Sequence, residues 1–169
     1  MTSLRLAAPA QAVDYIAVTR STYDSLAYPP YRWEALPGTA PWAPLAKPLS
    51  DCTVGLVASG GIYRSGQIAF HYRDDASYRV IDTGVDTSEL RATHVAYNLT
   101  DARSDINVVF PLDTLRRAVS DGVIGALAPR AFTFMGGIYS SRKVSDGLAP
   151  ALTEGLIAQG VDVVLLVPV

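Results

Sequence analysis

The sequence predicts an α/β domain with a mostly parallel, Rossmann-like sheet and flanking helices. Three observations predict it. The runs "CTVGLVAS" at 52–59 and "VVLLV" at 163–167 are continuously apolar and rich in β-formers, the pattern of strands buried on both faces. Between them, "PLDTLRRAVSDG" and residues 145–159 carry apolar residues at helical spacing. Strand, helix and strand at this separation give the right-handed crossover of a parallel sheet.

The chain has 169 residues, 49% of them apolar and 18% charged, with a net charge of -2, which is enough for one domain with a core. Lysine occurs only at Lys47 and Lys143, and no Lys/Arg run offers the clustered positive charge that nucleic acid requires. Cys52 is the one cysteine, so neither an internal disulfide nor a Cys-rich zinc site can form. The apolar runs are too short to span a membrane, and the opening "MTSLRLAAPAQA" is too short and too rich in Ala and Pro for a signal peptide. A cytoplasmic location is expected.

The elements follow in order. Residues 11–27 place Ile16, Thr19, Tyr23 and Leu26 on one helical face. Residues 28–50 hold Pro29, Pro30, Pro37, Pro41, Pro44 and Pro48, which exclude a helix or a central strand. Tyr28, Tyr31, Trp33 and Trp42 lie in the same stretch, so it reads as an extended arm that packs across the domain or against a partner. We therefore divide the chain into a helix and arm at 1–50 and an α/β domain at 51–169.

The domain opens with the strand at 52–59, and "GGIYRSGQ" follows as a loop. Residues 66–107 read as irregular and polar, with a short strand at Tyr78 to Ile81. Pro111 suits the first helical position, Leu112, Leu115 and Val119 form an apolar face, and Gly122 is a stop. "VIGALAP" and "AFTFMGG" read as short strands. The helix at 145–159 closes at Gly160, and the final apolar run reads as a strand in the middle of the sheet. "GGIY" occurs at 60–63 and 136–139, each time after an apolar strand, as two equivalent strand ends or by chance.

Candidate chemistry gathers where open α/β sheets bind ligands, outside the carboxyl ends of the strands. Gly60 and Gly61, and likewise Gly136 and Gly137, either hold an anion on backbone N–H groups or serve tight turns. No GxGxxG or GK[ST] pattern accompanies them. His94, Tyr97, Asp105 and Asn107 bring an imidazole, a phenol, a carboxylate and an amide into one segment. They read either as acid–base and orienting groups or as a bonded polar loop. Arg79 either clamps a substrate carboxylate or pairs with Asp74 or Asp75. His71 reads as a surface residue. Cys52 stands at the far end of its strand and reads as structural. The chain thus offers binding and proton-moving groups but no well-placed nucleophile.

"DASYR", "THVAYN" with "DINVVFPLDTL", "DGVIGALAPRAFTFMGG" and "LAPALTEGLIAQGVDVVLLVPV" stand in one order from about Leu49 to Val169. Together they resemble the selenoprotein B family of glycine, sarcosine, betaine and D-proline reductases, closer to the shorter D-proline reductase type. The N-terminal helix and arm fall outside the resemblance. It implies an oxidoreductase subunit that reductively cleaves a C–N bond of a small amine or amino acid. A pyruvoyl group on a partner subunit would activate the amine as a Schiff base, a selenol would attack, and a thioredoxin-like thiol donor would supply electrons. His94, Tyr97 and Asp105 are then expected as catalytic residues, with Asn107, Arg79 and the four glycines binding substrate.

The family's selenocysteine is expected just beyond Val169, followed by a second α/β half. Two explanations for the end of this sequence are an in-frame UGA read as stop and a short homologue without the nucleophile. The bare apolar strand favours the first. No cofactor is expected within the 169 residues, which alone should be inactive, and association with further chains is expected. The alternative is a non-catalytic ligand-binding or assembly subunit of the same fold.

Overall fold

The computed structural model describes residues 14–30 and 38–169. The chain divides into two compact units, Met1–Trp42 and Ala43–Val169. In the first, helix α1 (Tyr15–Ser25) starts at Asp14, whose carboxylate accepts the Ala17 N–H at 3.0 Å and so satisfies a free amide of the first turn. The Tyr28 ring meets Tyr23 edge-on at 5.9 Å. Within the arm expected to pack across the domain or against a partner, Trp42 is 89% exposed. Tyr31 and Trp33 lie outside the described residues.

The second unit is built on strand β1 (Thr53–Ala58), whose residues from Val54 onward are all buried. Strand β2 (Ile62–Arg64) follows at once, within the stretch read as a loop. Gly61 allows this. It has φ +68°, and a Cβ there would lie 1.9 Å from the Thr93 carbonyl oxygen, so only glycine fits. Strand β3 (Tyr78–Asp82) starts where expected. Strand β4 (Leu90–Ala92) pairs antiparallel with β2 in a separate ribbon, with Ile62 opposite Ala92. The short helix α2 (Thr100–Ser104) leads to α3 (Leu112–Ser120), which ends where Gly122 adopts φ +69°.

Strands β5 (Ala126–Leu127) and β6 (Arg130–Phe134) both run parallel to β1 on one side. Helix α4 (Ser141–Lys143) passes through a π-helical turn at Val144–Leu148 into α5 (Ala149–Ile157). This helix therefore starts earlier than the sequence suggested. It lies close on the sheet because position 155 is glycine: a Cβ there would be 2.4 Å from the Phe132 ring. Strand β7 (Val163–Val167) then pairs parallel with β1, Val54 opposite Val163 through Ala58 opposite Val167. β3 runs antiparallel to β6, with Val80 opposite Phe132. The sheet is α/β and mostly parallel, with one antiparallel edge.

One expectation about β7 is corrected. Among the described residues it pairs only with β1 and forms an edge, with Leu165 39% and Leu166 67% exposed. An apolar run reports the character of a strand, and its place in the sheet depends on what packs beside it. The core lies on both faces of the sheet. One side gathers Leu56, Ile62, Ile81, Phe110 and Leu112, the other Val57, Phe132, Leu148 and Leu152.

Candidate functional site

Three parallel strand ends meet at Ser59. Its N–H donates to the Val167 carbonyl at 3.0 Å, its carbonyl accepts the Gly136 N–H at 3.0 Å, and its hydroxyl accepts the Val169 N–H at 2.9 Å. Gly61 N–H donates to the Phe134 carbonyl at 3.0 Å, and Gly60 stands opposite Met135. The two GGIY stretches are thus adjacent at the carboxyl ends of β1 and β6, as the repeat suggested. Sequence reading passed over Ser59, although it heads the first of those stretches.

The loop after β4 delivers His94 to this corner. Thr93 N–H donates to the Gly61 carbonyl at 3.0 Å, which ties the loop to the end of β1. His94 is 7% exposed, and its ring lies 4.7 Å from that of Tyr97. The Tyr97 hydroxyl donates to the Gly60 carbonyl at 2.9 Å. Nδ1 of His94 accepts the Ala96 N–H at 3.0 Å, whereas Nε2 is buried and meets no partner among the described residues. Leaving such a group unpaired costs about 1–3 kcal/mol. Burial lowers the His94 pKa from its ordinary value and raises that of Tyr97, where the nearby Arg103 charge acts the other way. The corner therefore presents an uncharged imidazole and a protonated phenol at neutral pH.

The structure brings together His94, Tyr97, Gly60, Gly61, Gly136 and Gly137; a Cβ on Gly137 would lie 3.7 Å from Val95, the neighbour of His94. It places the other predicted residues elsewhere. Asp105 accepts the Asn107 N–H and side-chain amide at 2.9 and 3.0 Å. Asn107 also donates to Asp113 at 3.0 Å and accepts the Asp113 N–H at 2.9 Å. Thr87 and Arg116 complete this network on Asp113 at 3.0 and 2.7 Å. These bonds, that from Asn107 foremost, hold the Asp113 carboxyl below the usual range. Arg116 reaches on to the carbonyls of Thr83 and Val85. The cluster fastens the start of α3 to the turn before β4.

Arg79 donates to the Ile68 carbonyl at 2.7 Å and to Ser77 at 2.9 Å, and it covers the Phe70 ring at 4.3 Å. Asp74, at φ +51°, accepts the Tyr139 N–H at 2.9 Å and pairs with Lys143 at 2.6 Å, which lowers its pKa. Both residues hold loops. His71 is exposed, and its Nδ1 accepts the Arg73 N–H at 3.1 Å. Cys52 is fully buried against the Pro48 carbonyl at 3.3 Å, at the opposite end of β1 from His94. A cavity of about 590 Å³ borders the β2–β4 ribbon and α2, lined by Tyr63, Arg91, Thr93, Ala102, Arg103 and Asp105. Among the described residues no group of three metal-ligating side chains comes together, and no helix is long and apolar enough to cross a membrane.

The fold and this corner define an α/β subunit whose candidate ligand edge lies at the carboxyl ends of parallel strands. Residues 36–169 match the family described as glycine/sarcosine/betaine reductase selenoprotein B, and the chain belongs to that family. The match takes in the later part of the Pro-rich arm, which the motifs had left out. The chain is 37% identical over 125 residues to the D-proline reductase subunit gamma of Acetoanaerobium sticklandii, covering 74% of this chain and 52% of that protein. It is 30% identical to the sarcosine reductase complex component B subunit beta of Peptoclostridium acidaminophilum, covering 73% of this chain and 29% of the relative. Identity to the glycine reductase complex component B subunit gamma of Carboxydothermus hydrogenoformans is 32%, with the same two shares. The chain thus spans about half the length of the first relative and under a third of the other two. No solved structure gives a significant match.

Proposed function

We propose that this chain forms part of a subunit of a cytoplasmic reductase complex that reductively cleaves a C–N bond of a small amine or amino acid. The observation that carries this reading is the family match across residues 36–169. In such a reaction the C–N bond breaks, the nitrogen leaves as an amine, and a dithiol is oxidised to a disulfide. The reading assigns the electrophile, a pyruvoyl group, to a partner subunit, and the electrons to a thioredoxin-like donor. Selenocysteine would supply a nucleophile that is ionised at neutral pH. The corner at His94 fits a role beside such groups, since a buried, unpaired ring nitrogen there lacks an acceptor. Cys52 does not fit as the nucleophile, being buried at the far end of β1.

This chain's own contribution is binding and orientation: Ser59 holds the strand ends, Gly60 and Gly61 shape the corner, and His94 and Tyr97 line it. The test is dithiol oxidation dependent on glycine, sarcosine, betaine or D-proline, measured with candidate partner subunits supplied. Turnover is expected only when a pyruvoyl partner and a selenol or second thiol are present. Turnover by the 169-residue chain alone that survives Cys52→Ala would overturn the reading. A second reading, a ligand-binding or assembly subunit without chemistry, is favoured by the burial of Cys52. It predicts substrate binding and complex formation with no turnover under any of these conditions.

A further inference from the structure

The two ring nitrogens of His94 are unequal. Nδ1 accepts the Ala96 N–H, so the neutral ring carries its proton on Nε2. That N–H is buried and has no acceptor among the described residues. A Cβ on Gly61 would lie 3.7 Å from Cδ2, the ring carbon bonded to Nε2, so this side of the ring lies beside the corner where β1 ends. This is the edge at which open α/β sheets take ligands. Burial is what lowers the pKa of the ring, and the positive charge of Arg103 acts on the neighbouring Tyr97. Val95 and Val169, 54% and 39% exposed, stand beside this corner against Gly137 and Gly60.

We infer that His94 is a neutral Nε2–H donor that binds the carboxylate oxygen of a small ligand at the carboxyl end of β1, and that it is not a proton-transferring base. The inference rests on the site proposed above, but its measurements need no turnover, so it can fail while the reductase reading stands, and the reverse. The experiment is ¹⁵N imidazole NMR on the 169-residue chain, with His71→Gln used to assign the second histidine. The probe is sodium acetate, against sodium chloride and methylammonium chloride at equal ionic strength.

The expected result is the Nε2–H tautomer at pH 7 and a saturable shift of Nε2 with acetate alone. His94→Asn keeps an acceptor near the Ala96 N–H and removes the donor at the Nε2 position. It should weaken acetate binding roughly tenfold or more, read at the Gly61 amide. His94→Gln places an N–H near the Nε2 position and should retain more of the binding. An Nδ1–H tautomer, a charged imidazole at pH 7, an Nε2 signal indifferent to acetate, or undiminished binding in the asparagine variant would each overturn the inference. If that variant fails to fold, the tautomer and the acetate titration of the unmodified chain decide.

Discussion

Thr133 completes with one hydroxyl a contact that the sheet leaves open. It is fully buried in β6, accepts the Ile62 N–H at 3.0 Å and donates to the Ile62 carbonyl at 2.7 Å. β2 is turning away from β1 at that point, so the Ile62 backbone has no strand partner on that side. Thr133→Val keeps the shape and strands two buried polar groups. A loss of about 2–4 kcal/mol in chemical denaturation is expected, since each unmet group costs about 1–3 kcal/mol; a loss within experimental error would contradict the role. Neither Thr133 nor Ser59 announces itself in the sequence, because a hydroxyl that mends a strand end looks like any other. His94 stood out in the sequence as a candidate site residue. The state of its ring did not, since that depends on the amide of Ala96, two positions on.

At the level of elements, periodicity located β1, α3, β6 and β7, because each carries one continuous apolar stripe or run. It missed β2 and β4, three residues each, which are held as a ribbon by the approach of Gly61 to Thr93. It singled out Asp105 and Asn107 as site residues, and the structure bonds them to each other and to the start of α3. Short polar side chains that gather near a helix start serve a site and a cap equally well in sequence, and here they cap. The cap has a pH signature. The Asp113 carboxyl lies below its ordinary value in the fold, so its contribution is complete above the unfolded pKa and is lost as pH falls through the folded one. Asp113→Asn should therefore be less stable than the parent near neutrality. The gap in denaturation midpoint should close as the pH drops below about 4. A gap that widens on acidification would show that another group governs the region.

At the scale of the molecule, the β7 edge is an unprotected apolar surface. Val163–Val167 carries no charge, and Leu165 and Leu166 are exposed. An apolar, uncharged edge is a template for pairing with another chain. Concentration-dependent association is expected in light scattering, and Leu166→Lys should reduce it without unfolding the domain; association unchanged by that substitution would place the contact elsewhere. The central position of β1 has a separate consequence in time. Its sheet partners are β5, β6 and β7, all of which come from residues 126–167. A growing polypeptide therefore exposes "TVGLVA" long before either flank of that strand can be bonded. Such late closure slows folding and leaves an apolar strand open to misassembly during synthesis. The yield of native protein in a cell should then be governed less by final stability than by whatever shields that strand until its partners have been made.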